Sequence, residues 1–160
     1  MNDKDVSHKL DYAELVCFSN FSFLTGASTP EEHIEQAARL GYQALAITDE
    51  CSVAGVVRAY SHIKQSHLDI KLIIGSYFNY QGKISLTLIC SNRKAYAELC
   101  RVITNARRRC NKGTYELNAW DLKSVRECLI IWHASGEIAT DTFNVAWLLR
   151  LNKSIKQRLY

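Results

Sequence analysis

The sequence predicts an α/β fold in which strands and helices alternate and most strands run in parallel, as in an open sheet or an incomplete barrel. Short apolar runs of strand length alternate with longer segments whose apolar residues recur at helical spacing. One pair of apolar runs is separated only by Gln81-Gly82-Lys83, which indicates a hairpin within the sheet. The chain has 160 residues, 48% of them hydrophobic, and a single proline, so one domain can bury a sizeable core.

The first half of the chain supplies two strands and two helices. The apolar run from Tyr12 to Phe18 predicts the first strand. Ser28 to Glu32 offers an N-cap hydroxyl, a proline for the first helical position and a glutamate for a capping box, so a helix begins here and ends at Leu40-Gly41. A second strand, Ala44 to Thr48, follows, and the apolar residues from Val53 to Ile63 predict the next helix.

The second half continues the alternation and then stops. The predicted elements are strands at 70–74, 77–80 and 84–91, a helix around 96–106, a strand at 128–132 and a helix around 145–149. After Leu151 the chain continues as NKSIKQRLY and stops at Tyr160, just where another strand would be expected, which suggests a truncated fold. We therefore divide the sequence into an N-terminal tail, 1–11, and a partial domain, 12–160.

Composition limits the classes of protein and partner. The net charge of +4 permits a polyanionic partner without requiring one. The six cysteines form no C-x-x-C pair, which argues against a zinc ribbon or a thioredoxin-like site and favours reduced core cysteines. Neither a signal-peptide pattern nor eighteen consecutive apolar residues occur, so we expect a cytoplasmic protein without membrane contact.

Three stretches resemble a known family. The segment YAELVCFSNFSFLTGASTPEEHIEQAARLGYQALAITDECSVAGVVRAY (12–60) resembles the amino-terminal PHP (polymerase and histidinol phosphatase) domain of bacterial error-prone DNA polymerases, a C-family, α-subunit type of nucleotidyltransferase. KLIIGSYF (71–78) and LCRVITNARRRCNKGTYEL (99–117) resemble the same domain continued, so the resemblance covers roughly residues 12 to 122. It implies an incomplete PHP-type distorted (β/α) barrel, first part only, with mostly parallel strands plus a hairpin.

The resemblance also implies where a metal site would lie. In metal-bearing PHP domains, strand-end His, Asp and Glu residues hold a metal cluster that activates water for phosphoester hydrolysis. The matching positions here are Val16, Phe18, Thr25, Glu50 and Tyr77, of which Glu50 alone remains a good ligand. Because such sites need three or more protein ligands, we expect a degenerate site without a cofactor; zinc or manganese would enter only in a rearranged site.

The stretch ITDECSVAG (47–55) follows the second predicted strand, at the edge where function collects in α/β folds. Asp49 and Glu50 are candidates for catalysis, and the alternative is that they cap the following helix. His133 ends a predicted strand and could face the same rim. Cys51 lies beside two acids, so its thiol pKa should be raised and it is not expected to be a nucleophile.

The densest positive cluster is Arg107, Arg108 and Arg109, with Lys112 nearby. Two interpretations remain open for it. In the first, the arginines are helix-terminal charges that complement the helix dipole. Alternatively, they contact a phosphate backbone, which would make binding salt-dependent.

Two further groups of side chains carry weaker signals. The aromatic loop could stack on bases, although its apolar flanks favour core packing. The histidines show no convincing ligand spacing, so most are expected on the surface. The loop aromatics are Phe18, Phe21 and Phe23, and these histidines are His8, His33, His62 and His67.

Three hypotheses about function follow. The first is a non-catalytic PHP module of an error-prone polymerase that helps translesion DNA synthesis, replication and repair by contacting the polymerase core or other repair subunits. The second is a small phosphoesterase using Asp49, Glu50 and His133, and the third is a nucleic-acid-binding module. The polymerase aspartates would lie far downstream in this family, so the isolated chain should not polymerise DNA. An open barrel edge also predicts self-association.

Overall fold

The computed structural model describes residues 10–160 of the chain. Five strands form one sheet whose spatial order follows the sequence. The strands are β1 (Leu10–Glu14), β2 (Tyr42–Ile47), β3 (Lys71–Tyr80), β4 (Ile84–Ile89) and β5 (Leu129–His133). The helices are α1 (Pro30–Arg39), α2 (Ala54–Gln65), α3 (Arg93–Arg108), α4 (Ala119–Ser124) and α5 (Ile138–Leu151), and a short 3₁₀ helix covers Lys153–Gln157.

Strand direction follows the predicted pattern. β1, β2 and β3 pair in parallel, β4 pairs antiparallel with β3, and β5 pairs antiparallel with β4. Four of the five strands therefore run in one direction and β4 alone runs against them. The predicted parallel sheet with one hairpin, the first part of a barrel, is confirmed.

Two apolar clusters hold the sheet to its helices. One includes Ile34, Leu45 and Ile47, between α1, α2 and β2. The larger one includes Phe78 and Leu99 and joins the hairpin and β5 to α3, α4 and α5. Each such fully buried side chain contributes about 1.5–3 kcal/mol relative to an exposed one. The loops at the carboxyl ends of β2 and β3 are thereby attached to well-packed strands.

The start of α1 forms as its sequence predicts. The Thr29 hydroxyl accepts the backbone N–H of Glu32 at 3.3 Å, and the Glu32 carboxylate accepts the backbone N–H of Thr29 at 2.7 Å. Pro30 occupies the first turn, and Gly41, with φ 76°, follows the helix end. These contacts satisfy backbone groups that a helix end otherwise leaves unpaired.

Several predicted boundaries were wrong. β1 ends at Glu14, not Phe18, because the chain leaves the ladder and the Cys17 backbone N–H bonds the Thr48 hydroxyl at 2.8 Å instead. The strands predicted at 70–74 and 77–80 are one strand, β3, which passes through Gly75 without a break. A Cβ at Gly75 would lie 2.8 Å from the Leu88 carbonyl oxygen, so the hairpin needs glycine here.

Two elements were not foreseen. α4 is capped by Asn118 and Asp121, whose side chains each accept the other residue's backbone N–H, a local signal that was present in the sequence. The second element is the segment after α5, which returns to β5. Ile130 donates to the Arg158 carbonyl at 2.7 Å and Tyr160 donates to the Ile130 carbonyl at 2.9 Å, so part of the β5 edge that was expected to be open is paired. Among residues 10–160, none of the helices has the length and apolar character needed to cross a bilayer.

Candidate functional site

Asp49 lies fully buried just after β2 and holds the loop that follows β1. Its Oδ1 accepts the Ser19 backbone N–H at 2.8 Å and the Ser22 hydroxyl at 2.7 Å. Its Oδ2 accepts the Ser19 hydroxyl at 2.8 Å, and a Cβ at Gly55 would lie 2.8 Å from this oxygen. A buried carboxylate is tolerated when donors surround it in this way. The contacts of Asp49 are those of a residue that organises the fold.

The predicted cap of α2 was wrong. Val53 is the N-cap residue of α2, and its side chain makes no capping hydrogen bond. The Ser52 hydroxyl instead accepts the backbone N–H of Ala54 at 3.1 Å. The Asp49 carboxylate lies beside Gly55 in the first turn of α2, but it accepts its hydrogen bonds from the serines of the β1 loop.

Glu50 is half-buried and joins three separate parts of the chain. Its Oε1 accepts the Tyr115 hydroxyl at 2.7 Å, and its backbone N–H donates to the Ser22 hydroxyl at 3.0 Å. The Tyr115 oxygen also accepts the Asn79 backbone N–H at 2.8 Å. Burial, and secondly the hydrogen bond to Glu50, raise the pKa of Tyr115 well above its usual range. Tyr115 therefore remains a protonated donor to the carboxylate.

Four of the five positions matched to metal ligands meet at one cavity of about 240 Å³. Phe18, Thr25, Glu50 and Tyr77 line it, together with Asn79. The rings of Phe18 and Tyr77 pack edge to face, with centroids 5.1 Å apart. Aromatic packing of this kind stabilises the wall of the cavity. The fifth position, Val16, is not among the lining residues.

His133 stands beside this cavity, behind Tyr77. The two rings are 5.4 Å apart, and the Tyr77 hydroxyl donates to the Ser85 hydroxyl at 2.8 Å. The Nε2 atom of His133 lies 2.8 Å from the Thr87 hydroxyl. Burial lowers the pKa of His133, so the ring is neutral at neutral pH.

These side chains do not fit a metal cluster. Phe18 and Thr25 offer neither imidazole nor carboxylate, and the carboxylate of Asp49 is already bonded to Ser19 and Ser22. Across residues 10–160, no three His, Cys, Asp or Glu side chains are grouped so that they could hold a metal ion. Glu50 alone has too few ligand atoms for zinc or manganese. We therefore derive no metal-dependent step for this site.

Arg107 is bound within the protein. Its guanidinium donates to the backbone carbonyls of Cys51 and Glu50, both at 3.2 Å, and of Thr114 at 3.3 Å. It also lies over the Tyr115 ring, 5.4 Å from the centroid. Arg107 thus joins the turn after β2 to the loop after α3. Burial raises the pKa of Cys51 to about 11, so the thiol stays protonated; the direction is the expected one, but burial and not the neighbouring acids is its main cause.

The rest of the basic cluster divides in two. Arg109 forms a bidentate pair with Asp121, at 2.5 and 2.9 Å, which links the end of α3 to α4. Arg108 and Lys112 are exposed, and within the described part of the chain neither side chain makes a hydrogen bond or ion pair. A nucleic-acid contact through Arg108 and Lys112 stays a prediction, whereas Arg107 and Arg109 already have internal partners.

The aromatic loop differs from expectation. Phe18 is half-buried, but Phe23 is 84% exposed and Phe21 is 39% exposed, so the prediction of core packing was wrong for these two. Both line a second cavity of about 520 Å³ that Glu50 also borders. The loop leaves the core because the hydrogen bonds of Ser19 and Ser22 to Asp49 fix its base and direct its tip into solvent.

Two of the histidines expected on the surface are partly buried. The Nε2 atom of His33 lies 3.0 Å from the Phe18 carbonyl oxygen, and that of His62 lies 3.0 Å from a carboxylate oxygen of Glu35. His67 is exposed as expected, and His8 lies outside the described residues. Sequence reasoning also missed Ser19, Ser22 and Tyr115, because their partners are 27 to 65 residues away along the chain.

Comparison with known proteins shows the family of the chain. The profile of the PHP domain matches residues 14–143. The chain belongs to the PHP domain family. The family predicted from the sequence is thereby confirmed, and the match covers most of the chain.

Its sequence relatives are bacterial polymerases. The error-prone DNA polymerase of Vibrio vulnificus (strain YJ016) is 57% identical over 143 residues, which is 89% of this chain and 14% of that polymerase. The error-prone DNA polymerase of Vibrio campbellii is 62% identical over 123 residues, which is 77% of this chain and 12% of that polymerase. The error-prone DNA polymerase of Teredinibacter turnerae is 48% identical over 145 residues, which is 88% of this chain and 14% of that polymerase. This PHP domain thus corresponds to the N-terminal PHP region of such polymerases and spans about 14% of the length of these relatives. Among solved structures, an amidohydrolase from Chromobacterium violaceum matches with a TM-score of 0.48 and 23% identity, over 60% of this chain and 33% of that one.

Proposed function

We propose that this PHP domain is a non-catalytic accessory module of an error-prone DNA polymerase. In this role it stabilises or docks the polymerase core during translesion, damage-induced DNA synthesis. The observation that carries the proposal is the cavity formed by Phe18, Thr25, Glu50 and Tyr77. Where a metal-bearing PHP domain would gather ligands, this chain has the packed rings of Phe18 and Tyr77, the Thr25 hydroxyl and the Glu50 carboxylate.

The chemistry of the cavity favours a structural role. Hydrolysis of a phosphoester needs an activated water and positive charge near the phosphate oxygens. Glu50 instead brings negative charge, and its Oε1 is committed to Tyr115. The phosphoesterase alternative also needs Asp49 and His133, but Asp49 is bonded to Ser19 and Ser22. The nearest partner of His133 is the Thr87 hydroxyl.

The same hydrogen bonds connect four segments that are distant in sequence. Asp49 ties the β1 loop to the end of β2, and its carbonyl accepts the Ser76 hydroxyl of β3 at 2.8 Å. Glu50 and Arg107 tie this turn to the loop after α3. A rigid rim of this kind suits a surface that presents a constant shape to another domain. We propose the polymerase core or other repair subunits as partners, in the cytoplasm, with no cofactor.

The accessory role can be tested in a chimera. The matching region of the Vibrio vulnificus polymerase is replaced by this chain, and primer extension is measured beside a polymerase that lacks the region. We expect the chimera to extend primers, the Glu50→Gln chimera to match it, and the deletion to lose activity or stability. Gln retains an acceptor for Tyr115, so this change removes charge with little effect on the fold. A deletion that works as well as the chimera would rule out an accessory role.

The non-catalytic part has its own test. The purified chain, dialysed against zinc and manganese, should retain much less than one metal ion per chain by mass spectrometry. It should also hydrolyse bis-p-nitrophenyl phosphate no faster than buffer, because the ligands are too few. Stoichiometric metal that is lost in Glu50→Gln, or metal-dependent hydrolysis, would support the phosphoesterase alternative instead.

A further inference from the structure

Cys90 and Cys128 lie opposite each other where the β4-β5 ladder ends. The antiparallel register pairs Ile89 with Leu129, and the next residue outward on each strand is a cysteine. One residue further, the Ser91 hydroxyl donates to the Glu127 carbonyl at 3.3 Å. The two chains therefore stay side by side beyond the ladder, and the cysteines face each other across it.

The geometry suits a disulfide. Residues opposite each other in an antiparallel pair have Cα atoms about 4.5 or 5.5 Å apart, and disulfides span Cα distances of about 4.4–6.8 Å. Each thiol also shifts the pKa of the other, as expected of neighbouring side chains. The strand register therefore places the two cysteines within the range that a disulfide spans.

The two thiols differ in access and acidity. Cys128 is fully buried, and its sulfur donates to the Ala95 carbonyl at 3.3 Å. Cys90 is half-buried and borders an open cavity of about 350 Å³. The neighbouring Cys128 thiol lowers the pKa of Cys90, whereas the Cys90 thiol, and then burial, raise the pKa of Cys128. Cys90 is thus the thiol that a small oxidant reaches and the one that more readily forms a thiolate.

We propose that Cys90 and Cys128 are a peroxide-sensitive pair that oxidises to an intramolecular disulfide. The Cys90 thiolate attacks one oxygen of hydrogen peroxide, the O–O bond breaks, and Cys90 becomes a sulfenic acid while the other oxygen leaves as hydroxide and is protonated to water. The Cys128 sulfur then attacks the Cys90 sulfur. The S–S bond forms, the S–O bond breaks, and the hydroxyl leaves with the Cys128 proton as a second water. Two thiols lose two electrons and two protons, and hydrogen peroxide is reduced to two waters.

The bridge would have a structural effect. It would close the chain between the end of β4 and the start of β5, a loop that contains α3 and α4. Closing a loop of this length restricts the unfolded chain, and we expect the midpoint of thermal unfolding to rise by about 5–15 °C. The oxidised domain would therefore hold β4, β5 and α3 more tightly together than the reduced one.

The test uses the full 160-residue chain. Reduced protein is treated with hydrogen peroxide, quenched, alkylated with N-ethylmaleimide in denaturant and mapped by mass spectrometry without reduction. We expect a Cys90–Cys128 linked peptide, two hydrogens lighter than the sum of the two peptides. The Cys110→Ser control should retain the link, and Cys90→Ser should abolish it. Alkylated Cys90 and Cys128 alongside other oxidised cysteines, or a link from Cys90 to Cys100 or to a second chain, would overturn the proposal.

A second measurement does not depend on how a variant folds. Wild-type protein is oxidised, divided, and one half is treated with dithiothreitol before thermal unfolding is recorded for both halves. A higher midpoint in the oxidised half supports a bridge that fits the native register. An equal or lower midpoint would show that the bridge does not fit the native strands and would refute the proposal.

Discussion

Single side chains give the candidate site its character through their hydrogen bonds. Asp49 and Glu50 are adjacent in sequence but have different roles. Asp49 is buried and bonded to Ser19 and Ser22, whereas Glu50 is half-buried and bonded to Tyr115. The difference follows from strand alternation at the end of β2, which directs neighbouring side chains to opposite sides.

Asp49→Ala should destabilise the protein strongly. The change leaves the Ser19 backbone N–H and two serine hydroxyls without their acceptor in a buried space, which we expect to cost about 3 kcal/mol of unfolding free energy. Urea denaturation measures the loss. Glu116→Ala, at an exposed position, should stay within about 0.5 kcal/mol of the wild type. Equal effects of the two changes would contradict the structural role of Asp49.

The burial of His133 predicts that the stability of the protein depends on pH. Burial lowers its folded pKa below the unfolded value of about 6.5, so the neutral ring contributes stability above that pH. This contribution is lost as pH falls from the unfolded pKa toward the folded one. We expect His133→Gln, which can still bond to Thr87, to lose less stability between pH 7 and pH 5 than the wild type does. His67→Gln is the exposed control, and a slope unchanged from wild type in His133→Gln would contradict the prediction.

At the scale of secondary structure, the ends of the helices and the loops beside them position the site. α1 starts at a capping box, α4 starts at a second one, and α3 ends in the arginines that bind the surrounding loops. α3 is held at both ends, because Asn92 caps its start by accepting the Ala95 backbone N–H at 2.9 Å. The rim of the site is thus fixed by elements on both sides of the sheet edge.

The end of α3 offers a matched pair of substitutions. Arg109→Ala removes the partner of Asp121, a carboxylate only 3% exposed, and should cost about 2–3 kcal/mol. Arg108→Ala, one residue away and exposed, should change stability by less than about 0.5 kcal/mol. Thermal or urea unfolding of both variants measures the two losses of unfolding free energy. A large loss in Arg108→Ala would show that this guanidinium also has an internal partner.

Considered as one body, the molecule is a partial barrel with one partly covered end. Residues 158–160 pair with β5, but large apolar side chains of α5 remain in solvent: Ile138 is 84% exposed and Phe143 is 69% exposed. Exposed apolar surface near an incomplete sheet favours association with another protein surface. This agrees with a domain that spans about 14% of the length of its polymerase relatives.

The isolated chain should therefore self-associate. Light scattering at micromolar concentration should show a dimer or larger species, as the sequence predicted. The double variant Ile138→Ser, Phe143→Ser should move the population toward monomer, because it removes exposed apolar surface of α5. Val57→Ser, at a position on α2 that is 69% exposed, serves as the control. A clean wild-type monomer would contradict self-association through the open end.

The sequence by itself determined the features that depend on adjacent residues. The capping box of α1 lies within four residues, and the hairpin turn needs only Gln81, with φ 55°, and Gly82, with φ 68°. The apolar periods then set the order of strands and helices, and the family resemblance identified Phe18, Thr25, Glu50 and Tyr77 as neighbours of one site. Strand ends shifted because single side chains, such as the Thr48 hydroxyl on Cys17, compete with the ladder for backbone groups.

The tertiary structure alone decided which side chains become partners. Asp49 bonds Ser19, 30 residues away in sequence, and Glu50 bonds Tyr115, 65 residues away. Arg107 bonds Cys51, 56 residues away. No local pattern encodes these pairs, because each depends on the register of the sheet and on how far every side chain is buried. The physical reason is that a hydrogen bond or a thiol contact acts over a few ångströms, and only the packed fold brings distant residues that close.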